Sequence, residues 1–354
     1  MESSQALPES LNTCSLVRKT CQRVYSQMLK KEVPNIKLNE SKIHDFIHHL
    51  SDKVSKDGVA FEPWAKYHID PNAYPLEAVL SYTFVVDAMN FCFWPGNPAG
   101  NFEYEHMTKN LAKILHSNPE CFSAEMLSAM TPEWLKQFVF NNLEFALLEE
   151  RARIVREVGI VIHTFYKGSF VKYLSNVNWD AVKLVRQIAM DFTGFRDEAI
   201  YNGEQIFFYK RAQILVADLY GALSERTNPK DGQQTEPFKN LEQLTMFADY
   251  RVPQTLRLVG IMEYSPVLSA KIDPFDTVSH DNELPYSSVE EVEIRAATVV
   301  AVQMIMDEIS KEGTPQALKE QVKYAFQVDW LLWQMGESRL SELLPHHKVH
   351  SIFY

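Results

Sequence analysis

Glycine is scarce in this chain, 12 of 354 residues. The loops that cradle phosphates are absent: neither Gly-x-x-x-x-Gly-Lys nor a glycine-rich dinucleotide turn occurs. Gly-x-Ser-x-Gly and His-Glu-x-x-His are missing too, which removes the serine-hydrolase elbow and the helical zinc-protease site. Cysteine is limited to Cys14, Cys21, Cys92 and Cys121, with no Cys-x-x-Cys spacing and no histidine partner pattern. They read as reduced intracellular thiols, not as a disulfide framework or a zinc site. Positive charge is in deficit, 35 Lys and Arg against 46 Asp and Glu, for a net charge of −11. Bulk nucleic acid is therefore an unsuitable ligand, whereas a small anion held by two or three local cations is not excluded. Long apolar runs are lacking as well. The strongest, Phe84 to Trp94, contains Asp87 and Asn90, so no membrane span is expected. The first residues lack the basic and apolar regions of a signal peptide, and a cytoplasmic location is expected.

What is present is a large apolar budget, 46% hydrophobic and 12% aromatic. Helical periodicity recurs from end to end and strand-like alternation is rare, which predicts a predominantly α, compact multi-helix fold with few short strands. Helices are predicted over 16–32, 41–54 with Ser41 as N-cap, 82–94, 144–165, 181–190, 206–223, 287–309 with a capping box from Ser287, and 317–335. Residues 1–12 read as a disordered arm, and 13–354 as one domain, since the polar loops 227–236 and 274–285 are too short to be convincing linkers.

Several aspartates stand in aromatic or apolar settings: Asp87, Asp218, Asp249 and Asp329. Ionised carboxylates are rarely buried without a partner, so one of them is expected as a satisfied structural acid but not all four. Asp87 has Asn90 three residues on, the spacing of helix-face neighbours. Asp249 lies in Met246-Phe-Ala-Asp-Tyr-Arg251, just before a helix that Pro253 helps begin. It is either that helix's cap or a desolvated acid–base group walled by Phe247 and Tyr250. Lys210 and Arg211 stand near a predicted helix start, where dipole logic favours acids. They suit an anionic ligand, or a salt bridge to a nearby carboxylate. Carboxylates among aromatics suit glycosidic cleavage through a sugar cation, and equally the binding of an amine. His44 and His48 form an i, i+4 pair, but Phe46, Ile47 and Leu50 explain that helix without a metal. No metal and no cofactor are expected.

The blocks 85–94, 208–218, 244–254, 291–295 and 329–333 together resemble the queuosine salvage protein family, the queuosine 5′-phosphate N-glycosylase/hydrolases. The resemblance runs in order from about His68 to Tyr354 and is poor before about residue 60 and over 97–140. It implies a helical fold similar to helix-hairpin-helix DNA glycosylases, and hydrolysis of queuosine 5′-phosphate to queuine and ribose 5-phosphate. It matches Asp249 to the family's catalytic carboxylate, Phe247 and His68 to ligand-contacting positions, and Asp329 and Trp330 to a second acidic-aromatic block. There the family pattern is Asp-Tyr-x-Leu-Trp-Asp; this chain has Trp330 for the Tyr, keeps Trp333, and has Gln334 for the last Asp. Asp87, Asn90 and Asp218 join the expected substrate-binding set, with Asp329 or Asp87 receiving queuine's cationic amine. Lys210, with Arg211 or Arg251, is the expected phosphate site. Small-molecule substrate and product are the expected partners, with no membrane and no bulk nucleic acid. Two other readings are a hydrolase for a different modified nucleotide, and a non-catalytic helical module binding modified tRNA or a protein, against which the acidic charge weighs.

Overall fold

A computed structural model describes residues 12–94, 102–227, 238–274 and 283–354. Residues 1–11, most of the loop 227–236 and much of the loop 274–285 therefore lie outside the described residues. Among the described residues there are fifteen α-helices and four short strands, as the periodicity predicted. None of those helices is long and apolar enough to cross a membrane.

The chain forms two compact units. One takes residues through Glu62, Glu198–Lys210 and Leu241–His350; the other takes Pro63–Asp197, Arg211–Asn240 and Ser351–Tyr354. Neither is a continuous stretch of sequence.

The first unit is organised around the helix Val289–Ser310, which is buried along most of its length. Thr13–Met28 packs against it with Cys14, Val17, Cys21, Val24 and Met28 buried on one face. Glu40–Asp57, Arg251–Leu258 and Ala325–Ser338 pack on it as well. Two antiparallel pairs complete the unit: Ile36–Leu38 with Met262–Tyr264, and Glu198–Tyr201 with Glu204–Phe207. Glu293, buried on the long helix, is satisfied by Lys31, Asn35 and the Tyr201 hydroxyl. Buried acids persist only when partnered in this way.

The second unit is built on Leu76–Met89, Leu148–Tyr166 and the helix Lys210–Ser224 beyond its first residue. Leu148–Tyr166 packs on Leu76–Met89 and on Ala124–Ser128. Gly159 makes the second contact possible, because a Cβ there would stand 2.2 Å from the Ser128 amide nitrogen. The apolar C-terminus is docked: Tyr354 is buried and its carbonyl accepts from Cys92 at 3.0 Å.

Local boundaries differ from the periodicity reading where tertiary contacts intervene. The apolar run does not stay helical to Trp94; the helix ends at Met89 and Cys92 turns left-handed at φ 44°. Arg151, fully buried, takes the carbonyls of Met89, Phe91 and Cys92 and lies over the Phe91 ring. Arginine donors on the last carbonyls satisfy a helix end that has no following turn. Residues 204–207 are strand, so the next helix begins at Lys210 rather than at 206. The last long helix is split into Gln316–Gln321 and Ala325–Ser338. Asn39, not Ser41, caps Glu40–Asp57, and Ser288, not Ser287, caps the long helix.

Candidate functional site

The stretch 244–250 is irregular and leads directly into Arg251–Leu258. Its entry is pinned by Arg18, which donates to the carbonyl and the side chain of Gln243. The Asp249 amide donates to the Phe247 carbonyl at 2.7 Å, closing a three-residue turn. That turn aims the carboxylate at the helix start. Asp249 Oδ1 accepts from the amides of Arg251 and Val252, each at 3.0 Å. Asp249 thus fills the capping function, and the capping bonds also fix its orientation.

Asp329 comes from the buried face of Ala325–Ser338 and is 4% exposed. Its Oδ2 accepts from the Phe247 amide at 2.9 Å. The same turn therefore holds both acids, one through each end. Burial pushes the Asp249 carboxyl up, with the Lys210 ammonium and the two helix amides pulling the other way. Asp329 is pushed well above the carboxylate range, by burial first and then by the charge on Asp249. Of the two, Asp329 is the acid more strongly held in its protonated form, since burial and the neighbouring Asp249 charge act on it together. Lys210, buried at 4% exposure, supplies the positive charge both acids feel. It is placed by Tyr209, a non-glycine residue at φ 49° immediately before the helix.

Arg295 was not singled out by sequence reasoning, although it lies in one of the family-like blocks. It is fully buried, donates from Nε to the Ala248 carbonyl at 2.9 Å, and stacks 3.9 Å over Phe208. Glu291, one turn earlier, is 3.6 Å from its guanidinium. One side chain thus braces both the Asp249 turn and the segment leading to Lys210. A buried i, i+4 acid–base pair was the available signal, but periodicity does not say what such a pair reaches.

Gly336 sets the spacing between Ala325–Ser338, which carries Asp329, and Arg251–Leu258, whose start Asp249 caps. A Cβ there would stand 2.5 Å from Thr255 Oγ1, a fully buried side chain with no room to move. Gly336→Ala is therefore expected to destabilise the fold by about 1–3 kcal/mol despite alanine's better helix propensity. Turnover should fall as well, as the acids are displaced. Thermal unfolding and kcat measured together check this; an unchanged melting temperature would contradict it.

The remaining expected residues of this unit take varied positions. Phe247 is buried. Tyr250 is half-buried and stacks on His346, with ring centroids 4.5 Å apart. Arg251 is committed to Glu337 at 2.7 Å and to Gln254 at 2.9 Å. Trp330 and Trp333 are half-buried, Trp330 standing edge-on to Phe326. Gln334 accepts from the Glu62 amide and donates to the Glu62 carbonyl. An ionised Asp at this position would have only acceptors.

The second unit holds another constellation. Asp87 is fully buried and accepts from Asn90 Nδ2 at 3.3 Å, the pairing the spacing implied. Asp87 and Asp218 both act on the hydroxyls of Tyr82 and Tyr104, which burial, more than either acid, keeps firmly protonated. His68 stacks on Trp64 with centroids 4.2 Å apart and meets the Tyr104 hydroxyl at 3.3 Å. Burial pushes it down to about 3, so it is neutral. Arg211 is a strut: fully buried, it donates to the carbonyls of Asp87, Ala88 and Gly194 and stacks on Phe91 and Phe195.

His44 and His48 are exposed and each faces an acid, Glu308 and Asp52. Among the described residues no cluster of three or more His, Cys, Asp or Glu has the arrangement of a metal site.

Residues 69–354 match the family model described as queuosine salvage protein. A Dictyostelium discoideum protein named queuosine 5′-phosphate N-glycosylase/hydrolase is 38% identical over 97% of this chain and 100% of its own length. Identically named proteins of Sphaerobacter thermophilus and Mus musculus are 39% identical over 78% of this chain and 82% of their chain, and 28% identical over 83% and 87%. The Dictyostelium match takes in most of the N-terminal sixty residues, where the resemblance had seemed poor. With a family match over most of its length and a relative of this identity across nearly all of it, the chain belongs to the queuosine salvage protein family.

Proposed function

We propose that this protein hydrolyses the N-glycosidic bond of queuosine 5′-phosphate, releasing queuine for reuse in tRNA modification. The observation that carries the reading is the Asp249–Asp329 pair, held from one turn with Lys210 as its counter-charge. Queuine is a 7-deazaguanine and has no N7 to protonate. Its departure gains little from acid catalysis at the ring, so stabilising the ribosyl cation and activating water carry more of the barrier. A charged carboxylate in a water-poor setting serves both.

In this mechanism Asp249 receives a proton from the attacking water, whose oxygen bonds to C1′. The electron pair of the C1′–N9 bond leaves with the base. The departing nitrogen takes a proton, which neutral Asp329 has to give. The pair holds one proton before and after turnover, and transfer between the two acids resets it. Phe247, Trp330 and Trp333 supply apolar and stacking surface, with Tyr250 and Arg251 at the edge of the Asp249 turn. Asp87 and Asp218, among tyrosine hydroxyls and beside Asn90 and His68, have the chemistry a cationic amine requires. Arg211, occupied by three backbone carbonyls, serves this set by holding the Asp87 segment, which leaves Lys210 as the candidate for the 5′-phosphate. No cofactor or metal enters these steps. The substrate is a free nucleotide rather than tRNA, and the location cytoplasmic.

Incubation with queuosine 5′-phosphate, queuosine and guanosine 5′-phosphate, with free base measured by mass spectrometry, tests the reading. Release of queuine from the first and none from the third is expected; release of guanine instead would make this a hydrolase for a different nucleotide. Lys210→Ala is expected to raise KM for the 5′-phosphate more than for the nucleoside. Equal effects on both would assign Lys210 to the carboxylates alone.

A further inference from the structure

His346 lies outside the acid pair, yet the C-terminal segment carrying it is fastened along the helix that orients Asp249. Gln254 Nε2 donates to the Leu344 carbonyl at 2.6 Å, and Arg257 reaches the Pro345 carbonyl at 3.5 Å. Further along, the Leu284 amide donates to the Lys348 carbonyl at 2.7 Å. Between these ties the His346 ring lies on Tyr250, centroids 4.5 Å apart and planes 29° from parallel. Its Nδ1 is 2.9 Å from the His347 carbonyl, which fixes the ring's rotation. His347 beside it is buried.

We propose that His346 is a positioning residue for glycosidic cleavage: its ring clamps Tyr250 and thereby holds the Asp249 turn against the start of Arg251–Leu258. Tyr250 is the residue between Asp249 and the first helical amide that Asp249 accepts. A tilt of Tyr250 therefore moves the carboxylate and its hydrogen-bond donor against each other. A displacement of about 1 Å at a reacting group is enough to cost on the order of a hundredfold in rate. The clamp is uncharged in the working range. Burial pushes His346 down to about 4, and Arg251 and Lys348 push the same way, so the ring adds no positive charge beside Asp249. A flat, neutral, aromatic face is what the contact requires, and an aromatic pair of this kind contributes about 0.5–1.5 kcal/mol beyond its buried area.

This inference rests on the proposed hydrolysis, and the test separates the two. His346→Leu keeps most of the volume and loses the aromatic face; His346→Phe keeps the face and loses the ring nitrogens. Queuine release from queuosine 5′-phosphate is measured for both and for the wild type, with melting temperatures recorded. His346→Leu is expected to lower kcat about tenfold with KM changed less than threefold. His346→Phe is expected to stay within about twofold of wild type. In a Tyr250→Leu background the His346→Leu loss should vanish, because the clamp then has nothing to hold. Wild-type activity in His346→Leu overturns the proposal. So does an equal loss in Leu and Phe, which would assign the effect to the ring nitrogens, and so does a loss that persists unchanged without Tyr250. A wild-type protein that releases no queuine defeats the proposed function itself, before any variant is compared.

Discussion

Asp249→Asn is expected to lower turnover of queuosine 5′-phosphate by on the order of a hundredfold or more, the scale for losing a positioned base or electrostatic group. The substitution is nearly isosteric. Asn Oδ1 can still accept from the Arg251 and Val252 amides, so the helix start and the fold should survive. On the proposed mechanism, what is lost is the negative charge that stabilises the ribosyl cation and the basicity toward water. Substrate should bind with little change, since the proposed stacking surface and phosphate contact at Lys210 remain. Binding measured by calorimetry, thermal unfolding and turnover together check this. A folded, ligand-binding, inactive protein is the expected outcome; a fully active one would leave Asp249 as a cap and nothing more.

Asp329 is expected to divide by substitution. Asp329→Ala removes the acceptor of the Phe247 amide and leaves that buried donor without its partner, at about 1–3 kcal/mol. The turn that aims Asp249 loosens with it, and turnover should fall by about a hundredfold. Asp329→Asn keeps the acceptor and the neutral charge of the protonated acid but cannot give its proton, so it should fold as well as the wild type and turn over more slowly. A carboxyl whose folded pKa is raised favours the fold below the ordinary carboxylate range, and that contribution is lost as pH rises through the folded value. Asn never ionises. Asp329→Asn should therefore lose less stability than the wild type as pH is raised, which thermal unfolding across a pH series reads directly.

The helical class, the Asp87–Asn90 pair and the position of Asp249 before a helix containing Pro253 were all legible in the sequence, because each depends on neighbours within a few turns of chain. The meeting of Asp249 with Asp329 was not. Periodicity placed Asp329 on a buried face but carries no information about which loop that face meets. The same limit hid Arg295, whose reach to Ala248 and Phe208 is purely tertiary, and Gly336, whose reason for being glycine is Thr255 on another helix. The apolar run 82–94 was read too long because Arg151 and Arg211 satisfy the carbonyls that a continuing helix would have satisfied. Arg211 and Lys210 looked alike as adjacent cations; one is spent on backbone carbonyls and the other faces the two acids. No linker composition marked the two units, since the chain passes between them five times.

The most direct measurement is the pH dependence of kcat/KM for queuine release, in the wild type and in Asp329→Asn. With one proton shared by the pair, Asp249 titrates while Asp329 is already neutral. The acid limb should then lie above the ordinary carboxylate range, because burial raises Asp249, and it should fall at the same pH in both proteins. An acid limb that moves to lower pH in Asp329→Asn would mean that Asp329 is charged beside Asp249 in the working enzyme, and the proton-sharing pair would be contradicted.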